Sequence, residues 1–343
     1  MRAAVMRGGK IISDTVPDPV PSDGQVLVKT LACGICGSDL HALRHADEMA
    51  RVAKETGSPG FSMDLQRDVV MGHEFCAEIV EFGPGTAQIL KKGDRICSMP
   101  VVLHQGGVAA LGYSNDFPGG YGELMVLSEP TLLPVSEDLS TEEAALTEPM
   151  AVGIHAVAKA NLQPADVPLV VGCGPVGLAV VAALRLLGRE PIIAADFSAK
   201  RRGLAQHLGA HVVVDPKQQP AIEVWSEKAG AGSAVIFECV GVPGIIHQLM
   251  LEAPQGARIV VAGVCMEKDL IEPMIGIYKE INLQFVLGYT PEEFLAAFRA
   301  LEEGKIDAAP VITGKVGVDE VAEFFERLEN PDEHAKVLVE PWR

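Results

Sequence analysis

The chain has 343 residues, 48% of them hydrophobic, and a formal net charge of −18. That length and apolar content accommodate two domains with separate cores and exclude general disorder. The acidic balance argues against a nucleic-acid backbone or an anionic membrane as partner, because like charges repel. The opening MRAAVMRGGK lacks the apolar run and small-residue cleavage site of a signal peptide, and no uninterrupted apolar stretch reaches spanning length, so a cytoplasmic location is expected. The seven cysteines are an odd number, and most lie in apolar strand-like runs rather than at disulfide-framework spacings, which predicts free thiols.

Residues 1–35 are predicted to form short strands, Met1–Met6 and Gln25–Leu31, separated by the Pro- and Asp-rich turn Val16–Gly24. Between positions 42 and 71, the run HADEMARVAKETG predicts a surface helix, followed by the breaker-rich loop SPGFSMD. Strand patterns resume at Glu74–Phe82 and Asp94–Met99, joined by glycine turns. The Gly-rich stretch 104–123 is weakly periodic and reads as a loop, with further strands at Tyr121–Leu127 and Thr131–Pro134. A helix is predicted over 141–160, with Thr141, Glu142 and Glu143 as its N-terminal signal.

From Leu169 the pattern alternates: strand LVVG, helix Val176–Leu187, strand PIIAAD, helix Ala199–Leu208, strand HVVVD, helix Ala221–Lys228. Strands SAVIFECVG, ARIVVAGVC and LQFVLGY follow. Near-continuous apolar strands alternating with helices predict a parallel sheet covered on both faces, a doubly wound domain. The tail returns to a helix at Pro291–Glu303, a short strand near Val311–Gly314, a helix at Val318–Leu328 and a strand at Lys336–Glu340, and it is assigned to the first domain.

The run Cys36-Gly37-Ser38-Asp39-Leu40-His41 places a thiolate former, a hydroxyl, a carboxylate and an imidazole within six residues. With Gly72-His73-Glu74 and Glu148-Pro149, it offers one soft ligand, one imidazole and carboxylates that could converge on a metal. Such a set suits a catalytic zinc, which takes three protein ligands and leaves a fourth position for water or substrate, as in alcohol dehydrogenase. Taken singly, the same residues have plainer roles. Cys36 could be a small buried hydrophobe, Ser38 and Asp39 could cap a helix beginning near Leu40, and Glu148 could be an N-terminal helix charge.

Gly172-Cys173-Gly174-Pro175-Val176-Gly177 is a G-x-G-x-x-G that follows an apolar strand and opens an apolar helix. The first glycine permits the tight turn, the second lets the backbone approach a pyrophosphate, and the third allows close helix–strand packing. The helix N-terminus then offers amide donors to the phosphates. Asp196 ends the second strand, where its carboxylate would accept hydrogen bonds from the adenosine ribose and repel a 2′-phosphate, favouring NAD over NADP. Lys200, Arg201 and Arg202 are nearby cations that could attract that phosphate, or they could form an exposed helix face.

On these constellations, with KKGDRI, EPMAVGIHAV and the closing HAKVLVEP, nearly the whole chain resembles the zinc-dependent medium-chain dehydrogenases of alcohols, sorbitol and threonine. The resemblance implies an α/β chain: a GroES-like β domain from 1–149 and 289–343, plus a Rossmann doubly wound parallel-sheet domain over 150–288. Cys36 and His73 match the family's zinc thiolate and imidazole, and Glu148 sits where sorbitol dehydrogenase-like members carry a Glu-Pro pair. Glu74 is implied to ligate the metal or to exchange with Glu148. The implied reaction moves a hydride between the CH–OH group of a small alcohol, polyol or diol and NAD. In it, Ser38 takes the alcohol proton and passes it through the cofactor ribose to His41, while Asp39 fixes the tautomer of His73.

Two departures stand out. The family's structural-zinc lobe needs four closely spaced cysteines, and the matching region after Gly93 holds only Cys97, so a second zinc is not expected. The insert between His41 and His73 is longer than is usual for the family and is expected to lie where it could cover the cleft. Rival readings are a zinc-free quinone or enoyl reductase of the same fold, and a non-catalytic NAD-binding sensor. The family suggests a homodimer or homotetramer, with strand edges such as Leu283–Gly288 pairing across subunits.

Overall fold

The computed structural model describes residues 1–57, 63–328, 330 and 332–343. Most of the predicted loop SPGFSMD, residues 58–62, lies outside the described residues. The chain divides into two compact units, Met1–Glu148 with Ile312–Arg343, and Pro149–Val311.

The first unit opens with β1 (Arg2–Arg7), β2 (Lys10–Thr15) and β3 (Gln25–Gly34), then α1 (Gly37–Thr56). It continues through β4 (Val69–Val70), β5 (Glu74–Phe82), β6 (Arg95–Ser98), the hairpin β7 (Val101–His104) and β8 (Gly107–Ala110), β9 (Leu124–Ser128), β10 (Leu132–Pro134) and α2 (Thr141–Ala144). Helix α3 (Thr147–Lys159) begins at the boundary. The second unit alternates β11 (Asp166–Val171), α4 (Pro175–Leu186), β12 (Ile193–Ala195), α5 (Ala199–His207), β13 (Val212–Val214), α6 (Ala221–Ala229) and β14 (Ser233–Glu238). It goes on with α7 (Ile245–Glu252), β15 (Arg258–Val261), α8 (Pro273–Lys279), β16 (Asn282–Phe285) and α9 (Pro291–Glu302). The chain then returns to the first unit as β17 (Ile312–Val316), α10 (Val321–Arg327) and β18 (Lys336–Val339).

In the first unit a sheet runs β10-β6-β5-β3-β18-β17, with β9 also on β3. Strand β18 pairs antiparallel with the end of β3, Leu338 opposite Gly34, so the tail of the chain is stitched beside the Cys36 cluster. The core of this sheet is aliphatic, with Val26, Val28, Ile79 and Ile96 all buried. In the second unit six parallel strands run β13-β12-β11-β14-β15-β16. The order reverses between β11 and β14, and α4 leaves the carboxyl end of β11 there, which is where open α/β sheets bind ligands. Helix α4 buries eight consecutive residues, Gly177–Leu184, as a helix against a parallel sheet must.

Several expectations need correction. Helix α1 starts at Gly37, inside the chemical cluster, because Asp39 at its third position reaches back to the Cys36 amide. The stretch 104–123 contains β8, since Gly106-Gly107 closes a hairpin, and β2, α7 and α8 were not expected at all. The single helix over 141–160 is two helices, the first beginning at Thr141 with Ser140 as its cap. Residues 289–311, expected in the first domain, fall in the second unit. Helix α9 buries Phe294, Ala297, Phe298, Ala300 and Leu301, and its Glu293 lies 2.8 Å from His155 of α3.

Candidate active site

The cluster is built on the end of β3 and the first turn of α1. Cys36 holds extended backbone at the helix N-cap, and its N–H donates to Asp39 Oδ2 at 3.1 Å. Asp39 is fully buried, so its carboxylate must be satisfied by protein donors. The Tyr121 hydroxyl donates to Oδ2 at 2.5 Å, and the Tyr113 hydroxyl lies 2.9 Å from Oδ1 and 2.8 Å from Ser38 Oγ. His73 Nδ1 stands 3.3 Å from Oδ1, an ion-pair contact without a well-aligned hydrogen bond. Burial pushes the Asp39 carboxyl up, but the His73 charge and these donors outweigh it and hold it below the usual range. Burial likewise opposes a charged His73, and Asp39 and Cys36 more than offset it, raising the imidazole well above its ordinary value.

With Nδ1 turned to Asp39, His73 has Nε2 left for a metal. Cys36, His73 and Glu74 each offer a ligand atom, and these atoms lie within 4.8 Å of one another. The donor set, one thiolate, one imidazole and one carboxylate, fits zinc. Glu148, in the first turn of α3, is not in that convergent trio, although its charge acts on Lys336. Glu74 is also spoken for: the Lys336 ammonium lies 2.7 and 2.6 Å from its two oxygens and donates to the Ile35 carbonyl at 3.0 Å. Both residues are only 1% exposed. Burial works against the Lys336 charge, but Glu74, Cys36 and Glu148 raise its pKa. Gly34 makes room for this pair, since a Cβ there would sit 2.0 Å from Glu74 Oε2. His41 is half-buried on α1, and burial, then His45 and Arg44, lower its pKa.

In the second unit the glycine loop joins β11 to α4 as expected, with Gly174 at the N-cap, Pro175 first in the helix and Val176 next. A Cβ on Gly177 would lie 1.8 Å from the Gly172 carbonyl oxygen, so only glycine fits. Asp196 follows β12, and its carboxylate accepts from the Cys173 N–H and the Ser198 N–H, both at 2.7 Å. Lys200 is exposed, and the two arginines behave differently. Arg202 is committed to the carbonyls of Asp196 and Phe197 and to Asp215. A guanidinium nitrogen of Arg201 lies 3.8 Å from where a Gly174 Cβ would be, and its Nε is buried without a partner among the described residues. Cys173 and Cys97 are fully buried, as packing residues are, whereas Cys239 and Cys265 are only partly so.

Residue-by-residue reading missed Tyr113, Tyr121 and Lys336. Tyr113 lies in the Gly-rich stretch that reads as a loop, and Tyr121 lies where that stretch meets the strand expected at Tyr121–Leu127. Lys336 heads an otherwise apolar strand, and a lysine at a strand position buried on both sides was a signal that a partner carboxylate had to exist.

Residues 22–137 match the alcohol dehydrogenase GroES-like domain, and 175–303 match the zinc-binding dehydrogenase domain. The (R,R)-butanediol dehydrogenase of Bacillus subtilis (strain 168) is 33% identical over 353 residues, covering 99% of this chain and 100% of that protein. The crystal structure of 2R,3R-butanediol dehydrogenase from Bacillus subtilis aligns with a TM-score of 0.82 at 30% identity over 99% of each chain. A zinc-binding dehydrogenase of Sinorhizobium meliloti 1021 bound to NADP aligns with a TM-score of 0.82 at 26% identity, again over 99% of each. The chain belongs to the zinc-dependent medium-chain alcohol and polyol dehydrogenase family, with a GroES-like domain and a Rossmann-like domain.

Two substitutions test this construction. Lys336→Met strands a buried carboxylate, so urea unfolding of the chelated protein is expected to lose about 3–5 kcal/mol. Unchanged stability there would mean that the Glu74–Lys336 pair contributes nothing net to folding. Gly177→Ala should lower NADH affinity by roughly tenfold, about 1.4 kcal/mol, in a fluorescence titration, because the loop must shift to clear the new methyl group.

Proposed function

We propose that this chain is a zinc-dependent dehydrogenase that oxidises the CH–OH group of small alcohols, with vicinal diols and polyols as the substrate class. The alcohol becomes a carbonyl, NAD receives the hydride, and one proton is released. The convergence of Cys36, His73 and Glu74 carries this reading, and the glycine loop with Asp196 supports the cofactor. Cys36 and His73 would hold the zinc with a carboxylate, either from Glu74, which converges with them, or from Glu148, which would leave the Glu74–Lys336 pair intact. Zinc supplies a Lewis acid that lowers the pKa of the alcohol. Asp39 would keep the His73 ring oriented, Ser38 would receive the alcohol proton, and His41 would hand a proton to water. The lowered pKa of His41 keeps it neutral, and so able to accept a proton, at ordinary pH.

Asp196 selects NAD, and Arg201 lies along the loop for a cofactor phosphate. The Cys36/His73 pair disfavours a zinc-free quinone or enoyl reductase, and the ordered Ser38 hydroxyl disfavours a silent sensor. No helix among the described residues is long and apolar enough to cross a membrane, and we place the protein in the cytoplasm. Its partner is a second copy, as a homodimer or homotetramer. The edge strand β16 supports this, with Phe285 and the following Leu287 exposed beside an open strand edge.

Metal analysis should find about one zinc per chain, and Cys36→Ser should lose zinc together with NAD reduction across a panel of alcohols, polyols and diols. Full activity without zinc would sink the reading. Asp196→Gly removes a charged hydrogen-bond acceptor worth about 1.5–3 kcal/mol, so NAD affinity should fall roughly tenfold or more while NADP affinity falls less. An unchanged ratio would remove Asp196 from cofactor choice.

A further inference from the structure

We propose that the buried Glu238 carboxylate makes the dinucleotide site prefer the oxidised, positively charged nicotinamide over the reduced, neutral one. This rests on the reading of the glycine loop and Asp196 as an NAD site. Glu238 is the last residue of β14, opposite Val171 at the end of β11 and Val261 at the end of β15. It therefore stands at the carboxyl end of the sheet, beside the point where the strand order reverses. The loop after β11 would take the pyrophosphate, and Asp196, after β12, the adenosine ribose. The nicotinamide half of the ligand is then left to the other side of the reversal, over β14 to β16.

Glu238 is 1% exposed. One oxygen, Oε1, accepts from the Val240 and Gly241 N–H groups at 2.6 and 2.9 Å. The other, Oε2, is buried and has no hydrogen-bond partner among the described residues. It fits only because Gly263 has no side chain, since a Cβ there would lie 2.7 Å from Oε2. No cation pairs with Glu238 among the described residues, so its charge is met by neutral amides alone. Glu74 differs, because Lys336 neutralises it. A buried carboxylate without a counter-charge projects its field through low-dielectric protein, where Coulomb interactions are weakly screened. The nicotinamide ring carries one positive charge in NAD and none in NADH, so the carboxylate attracts only the former. Val240 and Val264 are exposed at the same strand ends, and a ring covering them would displace water that otherwise screens the charge. Hydride transfer cancels the ring charge, and the attraction ends with it, which favours exchange of NADH for NAD.

The test titrates the full chain, as wild type, Glu238→Gln and Glu238→Met, with NAD, NADH and ADP-ribose by calorimetry. Glutamine keeps an oxygen for the two amides and removes the charge. Glu238→Gln is expected to bind NAD about three- to tenfold more weakly, while affinities for NADH and for ADP-ribose, which has no nicotinamide, change by less than about twofold. An unchanged ratio of NAD to NADH affinity would overturn the proposal, whether both affinities hold or both fall. In the second case Glu238 would merely hold the loops after β14 and β15. Glu238→Met supplies another uncharged side chain if the glutamine variant fails to fold, with the same ratio as its readout. If wild type binds neither NAD nor NADH, the cofactor reading fails and this inference with it.

Discussion

The site depends on a buried carboxylate that has no access to water. Asp39 is fully buried, and it can stay ionised only because an amide, two phenols and an imidazole surround it. These partners come from three places in the sequence, so satisfying one side chain fixes several others. The Cys36 amide sets the start of α1 and hence the thiol. His73 is oriented with Nδ1 inward, and the Tyr113 bond reaches Ser38. A single desolvated charge organises Cys36, His73 and Ser38 together.

A second buried ionic node lies nearby and obeys the same rule with different chemistry. Glu74 is buried as Asp39 is, but it is satisfied by one lysine cation rather than by several donors from different segments. Lys336 reaches it only because β18 returns from the far end of the chain to pair with β3 at Gly34. A glycine is required at that crossing so that the carboxylate can lie against the backbone. The C-terminal strand is therefore part of the site although it contributes no ligand.

What was legible in the sequence was local. Cys36 through His41, the Gly-His-Glu triplet and the glycine loop each carry their meaning within a few residues, and the alternation after Leu169 declared a parallel sheet because buried strands must be apolar. What was not legible came from partners far away in sequence. Tyr113 and Tyr121 sit in a glycine-rich stretch whose periodicity says nothing about side chains buried by another segment, and the partner of Lys336 is 262 residues away. Residues 289–311 carry a helical pattern that would fit either unit, and only the buried face of α9 with the His155–Glu293 contact shows which. Arg201 and Arg202 are adjacent in sequence and chemically alike, yet one is committed to carbonyls and Asp215 while the other lies beside the glycine loop.

The charges around the metal position form one electrostatic unit, which bears on how the carboxylates share their work. Glu74, Cys36 and Glu148 all raise the affinity of Lys336 for its proton, so Glu148 is felt at this lysine although it stands outside the convergent trio. If Glu74 gave one carboxylate oxygen to a metal, Lys336 would share its carboxylate partner with the ion and keep the Ile35 carbonyl, in a place 1% exposed. A buried cation whose counter-charge is shared with a second cation is costly. A carboxylate other than Glu74 would avoid that cost, because the Glu74–Lys336 pair would stay intact.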